Sequence, residues 1–210
     1  MVRNIFALLS GLAAGLAFGL SANPAFMFGS PPPGEEANEE ALYEGKPASF
    51  WIRQLEDRDQ SFRRQAMWAL AHLAPGQEDA LRALIELLKD KNEWVRSTAA
   101  LNLSRVGPAA APAVPLLVAA LRDENPFVRA AAVRALGSIG PLDDAVLTAL
   151  RFALQDKSEQ VRRRTLDILG EIGPAAQVTL PAVREALNDS APKVREAAAD
   201  ALTKIRQRRG

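Results

Sequence analysis

The side chains that could do chemistry are few. The chain of 210 residues has one histidine, His72, and no cysteine. Disulfides, thiolate nucleophiles and Cys-based zinc sites are therefore excluded. One imidazole rules out a multi-histidine metal centre and leaves Ser/His/Asp catalysis without support. Carboxylates and guanidiniums are plentiful, but they are ordered along the chain. Asp57, Asp90, Asp123, Asp156 and Asp189 recur every 33 residues, and Arg63, Arg96, Arg129, Arg162 and Arg195 keep the same interval. The chemistry that this spacing offers is repeated ion pairing, because an arginine fork matches a carboxylate. Each Asp is expected to accept from turn N–H groups and from an Arg fork, so that the two columns form a structural ladder between neighbouring units. No catalytic residue, metal site or cofactor is assigned.

The elements that position these charges follow from the same period. Leu55, Leu88, Leu121, Leu154 and Leu187 repeat at 33, as do Leu70, Leu103, Leu136, Leu169 and Leu202. Self-similarity at a fixed interval marks a repeat architecture. The units run 45–77, 78–110, 111–143, 144–176 and 177–209. Each reads as two helices. Leu81, Leu84, Ile85 and Leu88 give helical spacing in a first helix; Val95, Ala99, Leu103 and Val106 do so in a second. Asp59, Asn92, Asn125 and Ser158 stand where an N-cap acceptor is wanted. Ala191 takes that place in the fifth unit, whose second helix should start less firmly. Pro126 and Pro192 suit a first helical position. Gly107-Pro108, Gly140-Pro141 and Gly173-Pro174 should end the second helices.

The pattern Asp90-x4-Val95-Arg96-x2-Ala99-x3-Leu103-x3-Gly107-Pro108 resembles a HEAT repeat of the short bacterial kind, also known from phycobilisome-lyase-like proteins. It recurs in units three and four. Unit one departs with Phe62 and Ala74-Pro75, and unit five ends in Ile205-Arg206-Gln207. The period is shorter than the roughly 40–47 residues usual for HEAT units. The resemblance implies an all-α fold, a right-handed α-solenoid of five 33-residue helix pairs, with the second helices on the concave side.

Equivalent positions in a solenoid have equivalent surroundings. A constant column is explained by stacking, and a variable one is free for other work. The outward columns of the second helices vary: Arg64, Ser97, Ala130, Arg163, Glu196; Trp68, Leu101, Arg134, Asp167, Asp200; His72, Arg105, Ser138, Glu171, Lys204. Arg64, Trp68, His72, Leu101, Arg105 and Arg134 gather aromatic, apolar and basic character in the N-terminal half, as binding hot spots do. Trp68 could equally cover the open end of the stack. Trp94 and Phe127 form a secondary patch of two neighbouring exposed aromatics, suited to a partner or to self-association.

Residues 1–28 read as a signal peptide or an N-terminal membrane anchor. Arg3 precedes an uncharged apolar run from Ile5 to Leu20, with possible cleavage after Ser21. Uncut, the run can span a bilayer with the solenoid outside. Gly11, Gly15 and Gly19 permit close helix packing. Residues 29–44 form a Pro/Glu-rich linker, and 45–210 the solenoid. That last stretch carries 25 bases and 20 acids, well short of a nucleic-acid footprint. The expected function is a non-catalytic protein–protein interaction scaffold outside the cytoplasm. It would take a peptide or protein segment, possibly acidic, on the concave face. Two alternatives remain. The resemblance implies a bilin-lyase-like protein, but there is no thiol, and Tyr43 falls in the linker. A HEAT-like nucleic-acid binder would need arginines that the ladder already uses.

Overall fold

Ten α-helices alternate with short connections in the computed structural model, which describes residues 41–140 and 143–207. The apolar leader and the linker through residue 40 lie outside the described residues. First helices are α1 (Ala48–Gln54), α3 (Glu78–Glu86), α5 (Val114–Ala120), α7 (Asp144–Ala153) and α9 (Leu180–Glu185). Second helices are α2 (Gln60–Leu73), α4 (Glu93–Val106), α6 (Pro126–Ile139), α8 (Glu159–Ile172) and α10 (Pro192–Arg206). Each unit is thus one helix pair, and no strand occurs among the described residues.

The second helices are the longer layer, 14 or 15 residues each. Asp59, Asn92 and Asn125 cap α2, α4 and α6, each accepting from the N–H two residues on. Ser158 does not: α8 has no side-chain cap bond, so the expected serine cap is corrected. Its own N–H is held instead by Asp156 Oδ1 at 2.7 Å. Ala191 leaves α10 uncapped as well, with Pro192 at the first helical position. Gly107 (φ 69°) and Gly173 (φ 66°) end α4 and α8 in a backbone region costly for other residues. The chain then continues as 3-10 turns, Gly107–Ala113 and Gly173–Thr179.

The second helices pack on one another in sequence, α2 on α4, α4 on α6, α6 on α8 and α8 on α10, while neighbouring first helices meet more sparsely. Close approach explains the small residues here. A Cβ on Gly137 would overlap Ile168 Cγ2, and one on Gly170 would sit 3.3 Å from Ala201 Cα. The core is the constant columns: Leu70, Leu103, Leu136 and Leu169 are fully buried, as are Leu84, Leu117 and Leu150. Each such leucine contributes about 1.5–3 kcal/mol relative to an exposed one. Phe62 shows what the end of a stack costs. It takes the place of Val95, Val128, Val161 and Val194, all buried, yet is 50 % exposed because no unit precedes it.

The N-terminal boundary needs correcting. Tyr43 and Lys46 exchange both backbone hydrogen bonds (3.0 and 2.9 Å) around Glu44 and Gly45, which both have positive φ. That is the geometry of a two-residue hairpin turn. Gln77 Nε2 donates to Ala41 O (2.8 Å), and Trp51 Nε1 to Tyr43 O (3.3 Å). Residues 41–44, expected in the linker on composition, are fastened to the first unit.

Candidate binding face

The Asp and Arg columns meet between units. Arg96 Nε and Nη2 donate to Asp123 (2.7 and 2.9 Å), Arg129 to Asp156 (2.7 and 2.8 Å) and Arg162 to Asp189 (2.7 and 2.7 Å). The third guanidinium nitrogen, Nη1, turns back onto its own unit, as Arg129 does to Asp123 O and Glu124 O. Each Asp Oδ1 also accepts the N–H two residues on. Burial raises the carboxyls of Asp123 and Asp156. The arginine fork and the turn N–H outweigh it, so both stay below the usual carboxylate range. At Asp189 the Arg162 fork dominates and acts in the same direction.

One rung departs from the expectation. Arg63 binds Asp57 O and Arg58 O in its own turn but makes no salt bridge to Asp90. A cavity of about 200 Å³, lined by Arg63, Met67, Asp90 and Val95, lies where that bridge would run. The ladder is also open at its ends: among the described residues Asp57 receives no guanidinium, and Arg195 bonds only Asp189 O and Ser190 O. Three rungs therefore join units two to five, and the first unit meets the second through helix packing and the contact of Arg105 with Trp68.

On the outward face of the second helices, the structure gathers Trp68, His72 and Arg105 and leaves Arg64, Leu101 and Arg134 beside them. Arg105 Cζ sits 4.0 Å from the Trp68 ring centroid, a cation–π contact. The His72 ring lies 4.9 Å from that of Trp68, tilted by 51°, and its Nδ1 lies 2.8 Å from Trp68 O. Trp68 Nε1 donates to Tyr43 Oη at 3.1 Å, and Tyr43 lies 4.9 Å from His72. Trp68 does not stand free on a solvent face. It is 39 % exposed because Arg105 and Tyr43 cover the rest. The tyrosine was missed because the linker boundary was read from the acidic run before it. One signal was available: Gly45 after Glu44, where a tight turn favours glycine.

Arg64, Arg105 and Arg134 have no carboxylate within 4 Å among the described residues. The far half is internally paired, with Lys204 on Asp200 at 2.7 Å and Arg164 by Asp167 at 4.0 Å. Leu101, in the N-terminal half, is exposed. The secondary patch also changes. Phe127 is exposed, but Trp94 is half-buried against the core, so the pair is one exposed aromatic. Among the described residues no three His, Asp or Glu side chains converge as a metal site would need.

Helix pairs stacked in one register, joined by a repeated ion pair and varying only on their outer faces, define a helical-repeat solenoid. The family described as HEAT repeats matches residues 48–114, 109–163 and 147–209. The chain belongs to the HEAT-repeat family. Among solved structures it is similar to the complex of CpcE and CpcF of phycocyanin lyase from Nostoc sp. PCC7120. That match has 27% identity and a TM-score of 0.61, and covers 86% of this chain and 71% of that one. It is similar in fold to a designed armadillo repeat protein in complex with the peptide (KR)4, at 22% identity, TM-score 0.58, covering 77% and 83%. An engineered protein matches at 24% identity and TM-score 0.54, covering 77% and 79%. A search of curated proteins finds no match.

Proposed function

We propose that this HEAT-repeat chain is a non-catalytic scaffold that holds an acidic, partly apolar segment of another protein on the N-terminal half of its second-helix face. The observation that carries it is a set of three guanidiniums on the second-helix face, Arg64, Arg105 and Arg134, that have no carboxylate partner among the described residues, with Arg105 on the Trp68 ring and Leu101 exposed. Stacking asks for none of these residue types. The neighbouring units place other side chains in the same columns and remain packed. Arginine forks can grip carboxylates while the apolar surface supplies contact area. The similarity to CpcE and CpcF, two proteins found in complex with each other, supports a protein partner.

We further propose that this activity lies outside the cytoplasm, a reading supported by the apolar run after Arg3 in residues 1–28, which suits export or anchoring of the solenoid. One described stretch, Glu93–Ala120, also has the length and apolarity of a membrane crossing. It is α4, a 3-10 turn and α5 of the stack, broken at Gly107. Reversing charge with Arg64→Glu and Arg134→Glu together should abolish capture of an acidic, apolar peptide without changing the helical signal. Unchanged capture would remove this reading. Tight duplex-DNA binding with a steep log–log salt slope would instead favour the nucleic-acid alternative.

A further inference from the structure

The first-helix face carries a feature that the binding face does not use. A groove of about 970 Å³ opens between α5 and α7. Its origin is local. Asp143 accepts from Val146 N at 2.8 Å and starts α7 at Asp144. In the units on either side the first helix starts three positions later in the repeat, after a 3-10 turn, at Val114 and Leu180. The two neighbouring helices therefore begin out of step and leave a trough floored by Val118, Leu121, Ala149 and Ala153.

Phe152 lines that trough and is 67 % exposed, the highest value among the large apolar side chains of the described residues. Its column reads Arg53, Glu86, Ala119, Phe152, Glu185. The repeat thus tolerates charge there, and the stack does not explain a phenyl ring. Across the trough stands Ala119, the small member of the same column. A projecting ring and a hole of matching character lie on one patch. Arg122, after α5, and Asp144, at the start of α7, border opposite ends of it. Neither has an oppositely charged partner within 4 Å among the described residues.

We infer that the α5–α7 groove is a self-association surface whose occupant is a second copy of this chain, laid across it about a two-fold axis. A two-fold interface brings the same patch from both subunits together, so that residue i meets residue j and j meets i. Phe152 of each copy fills the other's trough. Arg122 of each copy pairs with the other's Asp144. This surface is distinct from the second-helix strip, and a dimer formed here leaves both strips open to a partner.

The test is sedimentation equilibrium of the full chain in a mild non-ionic detergent, with melting followed by circular dichroism. The wild-type chain should dimerise. Phe152→Asp should weaken the dimer at least tenfold, with no change in melting at concentrations where the wild-type chain is monomeric, since the side chain is exposed. Arg122→Asp and Asp144→Arg should each weaken self-association. An equimolar mixture of the two should restore it as a heterodimer, because both cross-pairs then carry opposite charges. A chain that stays monomeric at every concentration would overturn the inference. So would a dimer indifferent to Phe152→Asp, or one lost on Phe127→Asp and kept on Phe152→Asp.

Discussion

Arg129→Ala removes the most enclosed rung of the ladder. The Arg129 side chain is 4% exposed and that of Asp156 10%. The substitution deletes two bonds to Asp156 and two to the carbonyls of Asp123 and Glu124. It also leaves the Asp156 carboxylate enclosed with Ser158 N as its one remaining partner. Breaking a buried pair from one side costs about 3–5 kcal/mol. For a domain of this size each kcal/mol moves the melting midpoint by about 2–4 °C, so a drop on the order of 10 °C is expected. Arg129→Lys should recover less than half, because an ammonium cannot fork. Arg63→Ala is the internal control. It loses two carbonyl bonds and no ion pair, so it should cost about 1 kcal/mol. The assay is urea denaturation of all three variants beside a cycle with Asp156→Ala. If Arg129→Ala costs no more than Arg63→Ala, or if the coupling to Asp156 is near zero, the ladder does not hold the stack together.

Acid should loosen the stack through the same rungs. Asp123, Asp156 and Asp189 are held below the ordinary carboxylate range. Their contribution is complete above the unfolded-state value of about 3.9 and is lost as pH falls through the folded-state values. Melting curves should therefore fall steeply below about pH 4, and less steeply in Asp156→Asn. Gly137→Ala should destabilise by about 1–3 kcal/mol through overpacking against Ile168, and Ile168→Ala in the same chain should recover part of it in urea titrations. Tyr43→Phe should cost about 1 kcal/mol by orphaning Trp68 Nε1, read as faster amide exchange in residues 41–46. Trp68→Ala should lower melting as well as binding, whereas Leu101→Asp should lower binding alone.

The repeat was legible because stacking imposes one environment on each column. Asp123, Arg129 and Leu136 each recur in every unit, and the structure turns those columns into rungs and core. What a column cannot convey is where the environment itself changes. Arg63 and Asp90 match the ladder by letter, yet Arg63 bonds only the carbonyls of its own turn, a cavity lies between the two side chains, and the rung stays unmade. Phe62 and Trp68 sit at that same end, where the Tyr43 turn stands in for a preceding unit. Trp94 shares a column with Phe127 yet packs inward, because burial is decided by the local fit of adjacent helices. The α5–α7 groove comes from a three-residue shift in helix start that leaves the 33-residue period untouched. The candidate strip was traceable as variable positions, but its internal contacts, Arg105 on Trp68 above all, needed coordinates.

A partner protein is proposed to dock on the N-terminal half of the second-helix face. Site-specific photo-crosslinking in cells tests it most directly, with the reactive side chain placed in turn at 101, 134, 200 and 86 of the full chain. Leu101 and Arg134 border the proposed strip, Asp200 lies at its far end, and Glu86 is on a first helix. The account predicts one shared adduct from positions 101 and 134, lost when Arg64 and Arg134 (or Arg64 alone, with the probe at 134) are reversed to Glu, and no such adduct from 86. An adduct from 86 or 200 with none from 101 and 134 would contradict it.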